Sequence, residues 1–124
     1  MFMRIILDTN FLIDLSRYKI DLENINMFTG KKEIITLDLV VKELNTIAIS
    51  RKRDSKYAKL GLKLINLHKI KILPSSEKNV DKALINLGNK NTIIATNDAE
   101  LRKKLRSIGV KTIYLRAKKR LELG

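Results

Sequence analysis

The 124-residue sequence has no cysteine and no tryptophan, one histidine, one proline and five scattered glycines. Without cysteine there can be no disulfide, thiolate zinc site or cysteine nucleophile. With His68 as the sole histidine, most zinc and haem sites and any multi-histidine centre are ruled out as well. The glycines never cluster, so the phosphate-cradling loop of a nucleotide-binding Rossmann domain is missing. No apolar run approaches the roughly 18 residues of a membrane span. The start, MFMRIILDTN, lacks the basic flank and small-residue cleavage site of a signal peptide. A cytoplasmic protein with no membrane contact is expected. Aromatic residues make up only 5% of the chain, which leaves little material for a base-stacking platform.

Acidic residues are scarce too: 13 Asp and Glu stand against 26 Lys and Arg, a net charge of +13. That excess points to an anionic partner, nucleic acid first, with a lysine-rich solubilising surface as the alternative. The length suits one domain, and 44% apolar residues suffice for a core.

Short aliphatic runs alternate with helical spacing. Strands are expected at 3–8, 32–37, 69–73, 92–96 and 110–116, each too apolar for a strand with one wet face. Helices are expected at 10–19, 21–28, 39–49, 57–69, 79–89 and 97–109. Thr9 or Asn10 would cap the first, and Asp38 the third. Val40, Val41, Leu44, Ile47 and Ala48 would form the apolar face of 39–49. Gly30, Gly88 and Gly109 break the pattern, Gly61 is tolerated within a helix, and residues 50–56 form a polar joint. The alternation gives an α/β fold, a three-layer α/β/α sandwich on a mainly parallel sheet of about five strands.

In such a sheet, ligands bind outside the carboxyl ends of the strands. Asp8 closes the run IIL, and Asp98 follows TIIATN at a strand-to-helix turn. Glu43 and Asp81 lie on helices that should rise from the same edge. Taken singly, Asp8 could cap a helix, Asp81 and Asp98 could sit in first helical turns, where acids are favourable, and Glu43 could face solvent. Together, four acids on one edge of a basic chain repel one another unless a cation or protons are bound. An all-oxygen ligand set favours Mg2+ or Mn2+. A divalent cation on a protein that attracts polyanions suggests phosphodiester hydrolysis. His68, at the end of a helix far in sequence from these acids, is read as structural.

LDTNFLI at 7–13, VVKEL at 40–44, VDKAL at 80–84 and IIATNDAELRKKLRSIGVKTIYLR at 93–116 resemble the PIN-domain ribonucleases, in the family's order and over nearly the whole chain. The ending resembles archaeal and eukaryotic ribosomal-RNA-processing members most, with the toxin nucleases of toxin–antitoxin pairs as near relatives. The resemblance implies a PIN-like nuclease domain over 1–116 followed by a basic tail, 117–124. It implies a metal-dependent endoribonuclease whose four acids fall on Asp8, Glu43, Asp81 and Asp98. The supporting Ser, Thr and Asn positions fall on Thr9, Asn10, Thr96 and Asn97. Many relatives carry two consecutive acids where this chain has Asp81-Lys82, so Lys82 stands beside the cluster as a candidate for substrate phosphate.

Two basic stretches are candidates for RNA. Residues 51–71 hold eight Lys or Arg and one acid, and begin with Arg51, Lys52 and Arg53. Residues 102–120 hold nine and no acid. There, Arg102 and Arg106 share a helix face with Asp98, and with Lys103 and Lys104 they would lead the RNA backbone to the metal. Arg116, Lys118, Lys119 and Arg120 make the tail basic. A non-catalytic RNA-binding module of the same fold is the competing reading. Expected partners are RNA, a second copy of the chain through apolar residues at 10–28 (Phe11, Leu12, Ile25, Met27, Phe28), and an antitoxin protein or a pre-ribosomal particle.

Overall fold

A computed structural model of the chain describes residues 4–25 and 33–124. Strand β1 (Arg4–Leu7) leads into helix α1 (Thr9–Arg17) and a 3-10 turn at Leu22–Ile25. Strand β2 (Glu33–Leu37) leads into α2 (Asp38–Ala48) and α3 (Ser55–Leu67). After β3 (Lys71–Leu73) come α4 (Val80–Leu87), β4 (Thr92–Ala95), α5 (Ala99–Ser107), β5 (Lys111–Arg116) and β6 (Arg120–Leu123). Of the segment read as a helix at 21–28, residues 22–25 form the 3-10 turn; 26–28, Gly30 and the start of the strand read from residue 32 lie outside the described residues.

The described strands form one sheet in the order β3-β2-β1-β4-β5-β6, with every pairing parallel except β5 with β6. Helices α1, α2 and α3 pack on one another, and α4 packs with α5, giving the expected three layers. The cost of burying both faces is met by aliphatic side chains: Ile5, Ile6 and Leu7 of β1 have no exposed surface. Burying one such side chain stabilises the fold by about 1.5–3 kcal/mol. On α2 the buried residues are Val40, Leu44 and Ala48, while Val41 and Ile47 are half-buried at the rim of that stripe. Gly61 of α3 lies against α1 and α2, where a Cβ would sit 3.6 Å from both Leu12 and Leu44.

Three expectations change. The sheet has six strands rather than about five, because residues 120–123 of the supposed tail pair antiparallel with β5. Leu121, 2% exposed, anchors that strand in the core, while Arg120 before it and Leu123 at the strand's end are exposed. Asp38 is the first residue of α2 instead of its cap, which is Leu37. Phe11, Leu12 and Ile25 are wholly buried in the monomer and offer nothing to a second copy; Met27 and Phe28 lie outside the described residues. Among the described residues, no helix is long and apolar enough to cross a membrane.

Candidate active site

The chain leaves β1 toward β2 on one side and leaves β4 toward β5 on the other. Since β1 and β4 are neighbours, their carboxyl ends form the crevice where α/β sheets bind ligands. Asp8 sits there, 4% exposed, its N–H donating to the Ala95 carbonyl at 2.9 Å. It is the extended cap residue of α1, the place expected for Thr9 or Asn10: Oδ1 accepts the Thr9 N–H at 2.7 Å. Oδ2 accepts the Thr96 hydroxyl at 2.6 Å. Burial pushes the carboxyl up to about 6, against the lowering effect of the bonds from Thr96 and Thr9, and the negative charges of Asp81 and Glu43 push the same way. Among the described residues no basic side chain forms an ion pair with Asp8.

The polar neighbours expected from sequence hold this carboxylate in place. Asn10 Oδ1 accepts the Asn97 N–H at 3.0 Å, tying the start of α1 to the end of β4. Asn97 uses its whole amide as a brace: Nδ2 donates to Asp14 at 2.9 Å, and Oδ1 accepts the Leu115 N–H of β5 at 2.7 Å. The Thr9 hydroxyl donates to Glu43 Oε1, so Glu43, although on an exposed stretch of α2, is turned toward Asp8.

A cavity of about 610 Å³ opens above Asp8. Glu43 and Asp81 share its wall with Thr9, Asn10, Asn79 and two lysines, Lys82 and Lys104; Ile13, Ile47, Val80 and Ile85 supply its apolar surface. Asn79 caps α4 by accepting the Lys82 N–H at 2.9 Å, which presents Asp81 and Lys82 in the helix's first turn at the rim. Three of the four acids expected from sequence therefore meet. Asp98 does not line this cavity: its Oδ1 accepts the Glu100 and Leu101 N–H groups at 3.0 and 3.1 Å as the cap of α5. No three described His, Cys, Asp or Glu form a closed ligand set.

The basic residues divide differently from expectation. Lys82 is at the cavity, as expected. Arg102 stacks over the Tyr114 ring at 3.8 Å, and Arg106 donates to the Gly124 carbonyl at 2.9 Å. The helix face bearing 98, 102 and 106 thus packs toward the β5–β6 hairpin and does not lead to the cavity. Lys103 is exposed, and Lys104, one place on, lines the cavity. Arg51, Lys52 and Arg53 are exposed in the joint between α2 and α3. His68 is exposed at the C-terminal end of α3, just before β3 enters the sheet and so on the edge away from Asp8. Sequence reasoning missed Asn79, which an asparagine directly before a helical run could have suggested as a cap.

Residues 5–118 match the PIN like domain family. The chain is 34% identical to ribonuclease VapC4 of Methanocaldococcus jannaschii over 97% of its own length and 95% of the relative's. Its fold superposes on the PIN domain endonuclease Utp24 with a TM-score of 0.77 and 26% identity, covering 96% of this chain and 90% of that one. A domain of a functionally unknown protein from Methanocaldococcus jannaschii shares the fold at a TM-score of 0.67 and 19% identity, covering 93% and 92% of the two chains. A buried carboxylate at the switch point of a parallel sheet, two further acids around the same cavity and these likenesses agree, and the chain belongs to the PIN-like domain family.

Proposed function

We propose that this protein is a metal-dependent endoribonuclease that hydrolyses RNA phosphodiester bonds in the cavity above Asp8. The observation that carries the reading is Asp8 itself, a nearly buried carboxylate with no cationic partner among the described residues, kept close to two more acids in a chain of net charge +13. Burying unpaired negative charge costs stability, and a site that concentrates it has the chemistry of a cation site. The donors are all oxygen, which suits Mg2+ or Mn2+. Asp8, Glu43 and Asp81 would hold the ion.

The bound ion supplies activation of the attacking water and neutralisation of charge at phosphorus. The chain's own groups do the rest. Thr96 and the Thr9 N–H fix both oxygens of Asp8, and the Thr9 hydroxyl turns Glu43 inward. Lys82 and Lys104 stand at the cavity wall to pair with backbone phosphates, contacts that position RNA without reading its sequence. Ile13, Ile47, Val80 and Ile85 give ribose or base an apolar surface.

For the substrate we propose precursor ribosomal RNA, on the strength of the ending ATNDAELRKKLRSIGVKTIYLR. A second reading, a toxin ribonuclease held by an antitoxin, is supported by the likeness to ribonuclease VapC4. The test of the activity is cleavage of a structured RNA with Mn2+ or with chelator. Cleavage should require the ion and disappear in Asp8→Asn and Asp81→Asn, both folded by circular dichroism. RNA binding without cleavage by the wild type would favour the non-catalytic module. Growth arrest on expression, relieved by a neighbouring gene product, would favour the toxin.

A further inference from the structure

The sparse aromatic residues are not scattered in space. Two of the three tyrosines, Tyr18 at the end of α1 and Tyr57 in α3, flank the Arg17 guanidinium, which lies 5.9 Å from one ring centre and 5.2 Å from the other. Arg17 is held there by ion pairs with Asp14 and Asp54, so those two acids are already engaged. The remaining cations of the patch have no acid partner among the described residues. Lys56 lies 5.0 Å from the Tyr57 ring, Lys118 lies 5.7 Å from the Tyr18 ring, and Arg53 lines the hollow between them. Lys118 reaches Tyr18 from the β5–β6 turn, where Ala117 and Lys118 both adopt positive φ, 54° and 59°. Left-handed backbone at two successive non-glycine residues costs energy. The two residues form the tight turn that folds β6 back onto β5.

The patch is joined to the acidic cavity. Ile47 lines both that cavity and a second hollow bounded by Arg17, Lys52 and Arg53. Arg17 and Arg53 in turn line the tyrosine hollow. The three hollows therefore lie in succession along α1, from Thr9 at its first turn to Arg17, its last residue. The axial distance is about 12 Å, a few nucleotides of extended strand.

We propose that a single strand of RNA lying in the acidic cavity runs along α1 and is gripped a second time at this patch. Its bases would stack on Tyr18 and Tyr57, and its phosphates would pair with Lys56, Lys118 and Arg53. Stacking rings among unpaired cations, reached by successive hollows, is the chemistry of sequence-tolerant single-strand binding. An acidic protein segment would find the same cations but has no use for two planar rings. The proposal rests on the ribonuclease reading for its ligand, and its test is kept separate by measuring binding in chelator, where no cleavage occurs.

The probe is a fluorescein-labelled single-stranded RNA dodecamer of mixed sequence. Tyr57→Ala should weaken its binding roughly tenfold. The charge reversals Lys56→Glu and Lys118→Glu together should weaken it further. A control carrying Lys63→Glu and Lys111→Glu, with the same change in net charge on exposed positions away from the patch, should lose far less. Equal losses in the two double variants would overturn the proposal, because binding would then follow net charge and not this surface. Loss of polyglutamate binding with RNA binding intact would overturn it in favour of a protein partner. Cleavage reads out the other question: a wild type that binds through the patch but never cuts RNA refutes the activity alone. A wild type that cuts RNA while Tyr57→Ala and the patch reversal bind normally refutes the patch alone.

Discussion

Replacing Asp8 by asparagine, with divalent ions removed, should make the protein more stable at pH 8 and leave it nearly unchanged at pH 4. Asp8 titrates near 3.8 in an unfolded chain and at about 6 here, principally because it is buried. The folded state therefore favours the protonated acid. The resulting stability is complete below about pH 4 and is lost as pH rises through 6. Above neutral pH the loss amounts to about 3 kcal/mol. Asparagine has the same shape, carries no charge and accepts the Thr9 N–H as well as aspartate does. The Thr96 hydroxyl must turn from its bond to Oδ2 toward Asn10 Oδ1, 3.4 Å away, at a cost of about 1 kcal/mol. The variant should thus gain about 2 kcal/mol at pH 8. Urea unfolding followed by circular dichroism at pH 4 and pH 8 in chelator measures this directly. A variant less stable than wild type at pH 8, or one equally stabilised at both pH values, would refute the account of Asp8 as a desolvated, unpaired charge. Adding Mn2+ should then raise the wild-type midpoint and not that of the variant.

Thr96→Val removes the hydrogen bond that holds the Asp8 pKa down, so the acid limb of the cleavage rate should move to higher pH, with a loss of about 1–3 kcal/mol in stability; an unmoved limb would show that another group sets it. Gly61→Ala should be stabilising by up to about 1 kcal/mol, because the new methyl meets Leu12 and Leu44 at ordinary contact distance and alanine favours the helix. Gly88→Ala should cost about 1–3 kcal/mol in the same urea unfolding assay, since its Cβ would fall 2.8 Å from Val110 Cγ2.

Much of the fold was legible because a parallel sheet covered on both faces writes its strands as unbroken aliphatic runs, and IIL, EIITL and TIIA are such runs. The strand β6 was not. In RLEL a basic and an acidic residue interrupt the apolar positions, as befits an edge strand, and the flanking lysines made it resemble a solvated tail. Asp8 was legible because a carboxylate at the end of a buried run has few uses. The capping of α5 by Asp98 was harder to read, since a helix cap and a metal ligand occupy the same place in a strand–turn–helix sequence. The basic face of α5 was misread for a related reason. Spacing shows that Arg102 and Arg106 share a face but not what that face meets, and here it meets Tyr114 and the chain's last residue, Gly124. The tyrosine patch draws on α1, α3 and the β5–β6 turn, so no local pattern announces it.

The hydrogen bond from Thr96 to Asp8 joins residues 88 positions apart. During synthesis Asp8 leaves the ribosome well before β4, the strand that completes its surroundings. Until then β1 lacks its β4 neighbour and the carboxylate has no fixed direction. Under the proposed activity, a nascent chain that has not yet made β4 is harmless to the messenger and the ribosomal RNA around it, and the capacity to cut waits on that strand.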